Sequence, residues 1–449
     1  MMSKKAILGH VFHAPVKGEF EHLVNACIEF DELGKISQVV TPDQHDYQSI
    51  VQKHQEQNTL TTLSDSQYLF PGLVDLHTHA PQWPQSGKGL DLPLFDWLNQ
   101  YTFPLESKYK DADFRERFYP ELVDTLIAHG TTTAMYFATI DNAASEYLAK
   151  VCKQKGQRAL IGKVSMDEKS MCPDYYVEQS TEIALSDAEA FIQNIIAIDD
   201  KSGLVHPVVT PRFVPTCSTD LLAGLGKLVQ HYQCHVQTHA SESDWARDFS
   251  QEKYQKTDVE IYHETQLLTR RTVLAHSIFL SECDKQTIKE VGAGIAHCPL
   301  SNMYFADATF PLREAIDQDL HVGLGSDLSG GPIPSIFHAC LDAVSHSRVR
   351  EAGTNTHLMQ NRGEPNTRVS FVEAFWMATH GGGLTLDLPI GVFKPGYLLD
   401  AIVVDTNAKH SQVRVYSDLD SPRDILEKII VHTTEPAISS VWVNGNKVK

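Results

Sequence analysis

The chain has 449 residues, of which 42% are hydrophobic, and it carries a formal net charge of −19 at pH 7. An acidic surface repels phosphate backbones, which argues against a nucleic acid partner. No stretch approaches the ~18 apolar residues of a membrane-spanning helix, and the first residues lack the pattern of a secretory leader. The eight cysteines include no Cys-x-x-Cys pair, as expected of reduced thiols in a cytoplasmic protein.

From residue 68 onward, short apolar or β-branched runs alternate with segments of helical length. The eight runs that predict strands are 68–79, 131–138, 158–166, 204–214, 235–241, 272–280, 293–300 and 321–327. Segments between them, such as 116–128 and 182–200, have the periodicity of helices. Eight strand–helix units in this order predict an α/β fold, a (β/α)₈ barrel of the TIM type rather than an open doubly wound sheet.

The two ends of the chain have a different pattern. Residues 5–67 contain strand-like pieces, and the DELGK sequence at 31–35 predicts a hairpin turn. Near the other end, Asn444-Gly445 between two strand-like pieces is a strong signal for a two-residue hairpin. We therefore expect one small composite β-domain, with the barrel inserted into it. The expected division is 1–67 and 386–449 for the β-domain and 68–385 for the barrel.

Two local features complete the chain-order analysis. Ser370 followed by Glu373 has the spacing of a capping box and predicts a helix over 371–380. The glutamine-rich stretch at 48–57 predicts a surface loop.

The residues that carry chemistry are expected at the ends of the predicted strands. His77 and His79 end the first run, and because side chains alternate along a strand, both point to the same face. Barrel enzymes collect their catalytic groups at the carboxyl ends of the strands. Further candidates at or just beyond later strand ends are His239, Glu242, His276 and Asp327. A histidine pair alone is a weak signal in a chain with 22 histidines, but the joint placement predicts a metal site.

This set of residues resembles that of the amidohydrolase superfamily, specifically its single-metal deaminases, over essentially the whole chain. The resemblance implies one divalent metal ion per chain, with Zn²⁺ expected and Fe²⁺ as the alternative. The implied ligands are His77, His79, His239 and Asp327. Members with two metal ions bridge them through a modified lysine on the fourth strand, and the fourth run (VHPVVTPRFV) has no lysine.

The same resemblance implies roles in a hydrolytic deamination. Glu242 is expected to carry a proton to the ring of the substrate and later to the departing ammonia. Asp327 is expected to orient the attacking water and assist proton transfer. His276 is expected to contact the water and the developing tetrahedral carbon without binding the metal. His297 and Cys298 are expected to pack rather than react.

Within this branch the sequence most closely resembles the guanine deaminases. The motifs that carry the resemblance are PGLVDLHTHAPQ (71–82), TPRF (210–213), THASE (238–242), LAHSIFLS (274–281), HCPLSN (297–302) and GLGSDLSGG (323–331). The implied contacts to the base are Gln82, Arg212, Phe213, His239, Glu242 and Asp327. Guanine presents O6 and N7 as acceptors on one edge, which suits the N–H fork of Arg212. The resemblance also implies a homodimer that acts in purine salvage or catabolism.

Two alternatives stay open. Another aminohydrolase of the branch, acting on cytosine, a triazine or another purine or pterin, would keep the metal ligands but is not expected to have TPRF. A catalytically silent homologue would have lost metal ligands, all of which are present. The unrelated cytidine-deaminase fold requires a PCxxC motif. No such motif exists here, so His54-Gln55-Glu56 matches its HxE motif by chance.

Overall fold

The structure, a computed structural model, describes residues 4–449 and contains two sheets. The first five strands belong to the smaller sheet, which we call the terminal sheet: β1 (Lys5–His13), β2 (Glu21–Phe30), β3 (Ile36–Val40), β4 (Leu60–Thr62) and β5 (Gln67–Pro71). The next eight form the barrel: β6 (Leu73–His79), β7 (Thr131–Phe137), β8 (Arg158–Ser165), β9 (Val205–Pro211), β10 (His235–Ala240), β11 (Thr272–His276), β12 (Gly294–His297) and β13 (His321–Leu324). The terminal sheet ends with β14 (Ala401–Asp405), β15 (Ile438–Val443) and β16 (Asn446–Lys447).

The barrel strands are parallel and follow one another in chain order, which confirms the (β/α)₈ prediction. The ring closes where β6 meets the segment that follows β13. The Asp327 N–H donates to the His77 carbonyl at 2.8 Å, and the His79 N–H donates to the Leu328 carbonyl at 2.9 Å. The predicted metal ligands of the first and eighth strands therefore lie at the seam that closes the barrel.

Helices pack around the barrel and above its carboxyl end. The predicted helices at 116–128 and 182–200 are found at Ala112–Ala128 and Thr181–Asp199, and Asp111 and Ser180 cap their N-termini. The other α-helices are Tyr47–Glu56, Leu94–Trp97, Phe103–Glu106, Asn142–Lys155, Thr219–Tyr232, Asp244–Tyr254, Asp258–Glu264, Glu282–Val291, Pro299–Ser301, Leu312–Asp317, Ile336–Ala352, Phe371–Trp376, Gly382–Thr385 and Pro422–His432. Within residues 4–449, no helix combines the length and the apolar character needed to cross a membrane.

Three local predictions have different outcomes. The Ser370–Glu373 capping box is present, and the helix continues past Trp376 through a π turn to Thr385. The first predicted strand is divided at Gly72, where an added Cβ would lie 2.1 Å from the Thr132 hydroxyl. The prediction of a surface loop at 48–57 is wrong. This stretch lies in the helix Tyr47–Glu56, which buries Val51 and His54 on its inner side.

The terminal sheet draws on both ends of the chain, as predicted. Its strand order is β16-β15-β14-β5-β1-β2-β3, with β4 beside β1, and antiparallel pairing of β5 with β14 joins the two halves. Both predicted hairpins are present. Asn444 and Gly445 have φ values of 48° and 68°, as a type I′ turn requires. The division at residues 67/68 and 385/386 stays a prediction. Strand β5, which lies in the terminal sheet, runs from residue 67 to residue 71 and so crosses the first of these boundaries.

A buried ion pair connects the floor of the barrel to this sheet. Arg158, at the start of β8, contacts Asp400 just before β14 and Asn444 in the last hairpin. The side chains of Arg158 and Asp400 are both 1% exposed. Desolvating two charges is costly, and here the cost is offset only while each charge has the other as its partner.

We therefore predict that Asp400→Asn lowers the free energy of unfolding by ~3–5 kcal/mol, because it leaves the guanidinium buried without a counter-charge. Chemical denaturation measures the effect. Asp124→Asn is the control. It breaks the ion pair of Asp124, whose side chain is 63% exposed, with Lys155, and it should lower the free energy of unfolding by less than ~1 kcal/mol. Equal losses in the two variants would contradict the role of the floor pair.

Candidate active site

Three imidazoles and one carboxylate meet at the carboxyl end of the barrel. His77 Nε2 and His79 Nε2 lie 3.2 and 3.4 Å from the same Asp327 oxygen. His79 Nε2 lies 3.2 Å from His239 Nε2. All four side chains are buried. The structure thus brings the four predicted metal ligands together, and we call them the metal cluster.

The protonation of these imidazoles suits a metal ion. His239 Nδ1 donates to the Arg212 carbonyl at 2.6 Å, which leaves the lone pair of Nε2 directed at the cluster. His77 Nε2 is buried and has no hydrogen-bond partner. Burial lowers the pKa of all three imidazoles, for His79 and His239 well below the usual range, so they are neutral at neutral pH. Neutral imidazoles beside a carboxylate fit Zn²⁺ or Fe²⁺.

Asp75 connects the strand that carries His77 and His79 to the segment that carries Asp327. One of its oxygens accepts hydrogen bonds from the backbone N–H of Ser326 at 2.9 Å and of His77 at 3.2 Å, and the other accepts from the Ser326 hydroxyl at 2.5 Å. Asp75 was not among the residues predicted from the sequence. Its signal was present, because Asp75, His77 and His79 alternate along one strand and so share a face.

The backbone is strained at three strand ends around the cluster. Ser241, His276 and Asp327 have φ values of 46°, 66° and 47°, in the left-handed region that favours glycine. Such conformations cost ~1–3 kcal/mol each and persist where the surroundings hold them. At Asp327 the seam hydrogen bond to the His77 carbonyl does so.

Glu242 and His276 lie beside the metal cluster. His276 Nε2 is 3.6 Å from a Glu242 oxygen and 3.8 Å from an Asp327 oxygen, and it has no hydrogen-bond partner of its own. Its Nδ1 donates to the Asn302 side-chain oxygen at 2.9 Å, a contact that the sequence analysis did not anticipate. Burial raises the pKa of Glu242, which favours the protonated form of its carboxyl group.

His276 also lies near enough to the cluster to be considered as a ligand. Its ring nitrogen and those of His77 and His239 are all within 4.8 Å of one another, as are the ligand atoms of His77, His79 and Asp327. The prediction that His276 acts outside the metal sphere therefore stays a prediction.

A cavity opens above the cluster and includes every predicted contact to the base. It is lined by His79, Gln82, Leu94, Trp97, Leu98, Arg212, Phe213, His239, Glu242, Phe305, Asp327 and Gly330. Sequence analysis missed Leu94, Trp97, Leu98 and Phe305, because they reach the cavity only through tertiary packing. Trp97 and Phe305 pack against each other, with ring centroids 4.9 Å apart, and form an apolar wall.

Arg212 has a partner that the sequence did not reveal. Its two terminal nitrogens donate to the carboxylate of Glu106 at 2.7 and 3.2 Å. Gln82 Nε2 donates to the same carboxylate at 3.0 Å. Glu106 lies in a short helix of the insertion after β6, far from any predicted strand end.

His297 and Cys298 lie outside the cavity lining and pack, in line with the prediction. The His297 ring is 5.2 Å from the Phe310 ring, and burial lowers its pKa to about 3. The Cys298 thiol donates to the Ala296 carbonyl at 3.6 Å.

Comparisons with known proteins agree with this geometry. The amidohydrolase family model matches residues 68–448. The chain is 36% identical to the guanine deaminase of Dictyostelium discoideum, over 99% of this chain and 98% of that protein. It is 35% identical to the guanine deaminase of Homo sapiens, over 86% of this chain and 84% of the relative. The crystal structure of the guanine deaminase from C. acetobutylicum, with guanine bound in its active site, matches 100% of each chain with a TM-score of 0.87 and 31% identity.

We predict that Asp75→Ala weakens metal binding by ~10–100-fold, because outer groups that orient metal ligands have effects of this size. The variant leaves the backbone N–H groups of His77 and Ser326 without their acceptor. Competition with a chelator measures the retained metal. Asp387→Ala, which removes an exposed partner of Arg271, is the control. Retention equal to that of the unchanged protein would contradict the positioning role of Asp75.

Proposed function

The chain belongs to the amidohydrolase family, and we propose that it catalyses the hydrolytic deamination of guanine to xanthine and ammonia. The observation that carries this proposal is the agreement between the cavity and the comparisons. The six residues expected to contact the base all line one cavity above the metal cluster. The relatives that match nearly the whole chain include guanine deaminases, one of them with guanine bound.

We assign a single divalent ion to His77, His79, His239 and Asp327, with Zn²⁺ preferred and Fe²⁺ as the alternative. When bound there, the ion lowers the pKa of water from ~15.7 towards ~7 and so supplies a nucleophile at neutral pH. Strand β9 (VHPVVTP) contains no lysine that could bridge a second ion.

Elemental analysis should find close to one tightly bound divalent ion per chain, since the cluster supplies one set of ligands. Replacing His77, His79 or His239 with Ala should remove the ion together with the activity. Two ions per chain, in protein freed of loosely bound metal, would contradict the mononuclear assignment.

The protein groups supply the proton transfers of the reaction. The water oxygen forms a bond to the ring carbon that bears the amino group, and the amino group leaves as ammonia after gaining a proton. Glu242, whose pKa is raised by burial, protonates the ring nitrogen first and the leaving amino group second. Asp327 accepts the two protons of the water oxygen one after the other and returns each to Glu242, so that both carboxyl groups end in their starting states. His276, within 4 Å of both carboxylates, contacts the developing tetrahedral centre.

The remaining cavity residues hold the base. Arg212 faces the O6 and N7 edge with N–H groups that its partner Glu106 does not occupy. Gln82 contacts the amide edge of the ring, and Phe213 offers an apolar face. The Phe213 ring lies 6.3 Å from the His239 ring, which puts this face beside the metal cluster.

Glu242→Gln should keep the metal and bind guanine yet lose at least ~10²–10⁴-fold in turnover, because the amide cannot carry the proton. Steady-state kinetics and elemental analysis of the same preparation measure both. Loss of the metal would show that Glu242 is a ligand, and near-normal turnover would refute its role as a proton carrier.

The test of the function is ammonia release from guanine, adenine and cytosine by the metal-loaded protein and by Arg212→Ala. Guanine should be preferred by ~10⁴-fold or more, because adenine places an amino donor against Arg212 where guanine has O6. Arg212→Ala should lower kcat/KM for guanine by roughly 2–4 kcal/mol in transition-state terms and keep the metal. Adenine or cytosine as the better substrate would overturn the proposal and leave a metal-dependent deaminase of another base.

Three further assignments stay predictions. They are a homodimer, a cytoplasmic location and a place in purine salvage or catabolism, and each follows from composition or from the family resemblance. Sedimentation of the purified protein would test the first.

A further inference from the structure

We propose that Glu106 is a positioning residue that sets the specificity of the site for a base with a carbonyl edge, by holding Arg212 and Gln82 in one orientation. The inference rests on the proposed function, because it concerns the same cavity. It adds a residue that does not line the cavity and that acts through two residues that do.

The contacts of Glu106 use both of its oxygens. One oxygen accepts from Arg212 Nη1 at 2.7 Å, and the other accepts from Arg212 Nη2 at 3.2 Å and from Gln82 Nε2 at 3.0 Å. The Glu106 side chain is 0% exposed and that of Arg212 is 4% exposed. Three charge-assisted hydrogen bonds in a buried place fix the geometry of both partners.

These contacts determine what Arg212 and Gln82 offer to a ligand. A guanidinium has five N–H groups in a rigid fork, and Glu106 takes one from each terminal nitrogen. The remaining N–H groups of Arg212 stay available to donate to a ligand in the cavity. The Gln82 amide is held at both ends, because its oxygen accepts from the Ser329 backbone N–H at 3.3 Å. Gln82 therefore cannot rotate to present the reverse donor and acceptor pattern.

The same short helix supports Arg212 from below. Phe103 precedes Glu106 by three residues, so the two side chains share one side of the helix. The guanidinium carbon lies 5.0 Å from the centroid of the Phe103 ring. A planar cation between an aromatic face and a bidentate carboxylate has little freedom to turn.

The carboxylate also balances charge. Arg212 alone would leave a buried positive charge in a cavity intended for a neutral base, and an unpaired buried charge is strongly unfavourable. With Glu106 in place, Arg212 can donate hydrogen bonds to a carbonyl oxygen without attracting anions in general.

The test compares two competitive ligands of the metal-loaded protein. Hypoxanthine has the carbonyl edge of guanine, whereas purine lacks it, and neither has an amino group to release. The ratio of their inhibition constants against guanine turnover measures recognition of the carbonyl. Glu106→Gln should reduce the preference for hypoxanthine by roughly tenfold, because a neutral amide cannot accept from both partners in the same way.

Glu178→Gln is the matched control. Glu178 is also a buried carboxylate that pairs with a buried cation, Lys163, and it does not line the cavity. A general loss of stability would weaken the binding of hypoxanthine and of purine equally in either variant. The ratio of their inhibition constants therefore reports only on the positioning role of Glu106. An unchanged ratio in folded, metal-loaded Glu106→Gln would overturn the inference.

A second comparison covers the case in which Glu106→Gln does not fold. Arg212→Ala/Glu106→Gln removes both charges and so avoids a buried charge without a partner. Its preference for hypoxanthine should fall below that of Arg212→Ala by no more than the loss measured for Gln82→Ala, because Glu106 acts only through Arg212 and Gln82. A further tenfold loss beyond that of Gln82→Ala would contradict the proposal. A wild-type protein that releases no ammonia from guanine would instead refute the proposed function. In that case, calorimetric measurement of hypoxanthine and purine binding would still decide the role of Glu106.

Discussion

The closure of the barrel is the constraint on which the site depends. His77 and His79 lie on the first barrel strand and Asp327 follows the last, so these predicted ligands meet only when the ring is complete. Two backbone hydrogen bonds across the seam and the carboxylate of Asp75 hold that meeting point. The metal cluster is therefore part of the closure itself, and strain in the left-handed backbone at Asp327 is tolerated because the seam fixes it.

Two of the buried ion pairs of the barrel have different functions. At the floor, Arg158 with Asp400 joins the barrel to the terminal sheet. At the opposite end, Arg212 with Glu106 joins the recognition side of the cavity to the insertion after β6. In both cases a barrel arginine finds its counter-charge in a segment outside the barrel. Each pair thus couples the barrel to an added element, one for stability and one for selection of the substrate.

Sequence reasoning reached the parts of this protein that have local or periodic signals. Strand alternation placed His77 and His79 on one face, and strand ends identified His239 and Asp327. The arginine at position 212 was recognised from its motif, but its partner was not. Glu106 lies in a helical insertion with no periodic relation to the strands, and Trp97 and Phe305 meet only after folding. Such contacts depend on tertiary packing, which a single sequence does not encode in a readable pattern.

The terminal sheet has a consequence for how the protein is made. Strand β5 pairs with β14, with Pro71 opposite Ala401. A ribosome that adds ~5–20 residues per second needs roughly 17–66 s to synthesise the chain between these partners. During that time β5 has one unpaired edge and Arg158 lacks its carboxylate, while long-range pairing of this kind folds slowly. The edge of β5 and the guanidinium of Arg158 therefore find their partners only after residues 400–405 have left the ribosome.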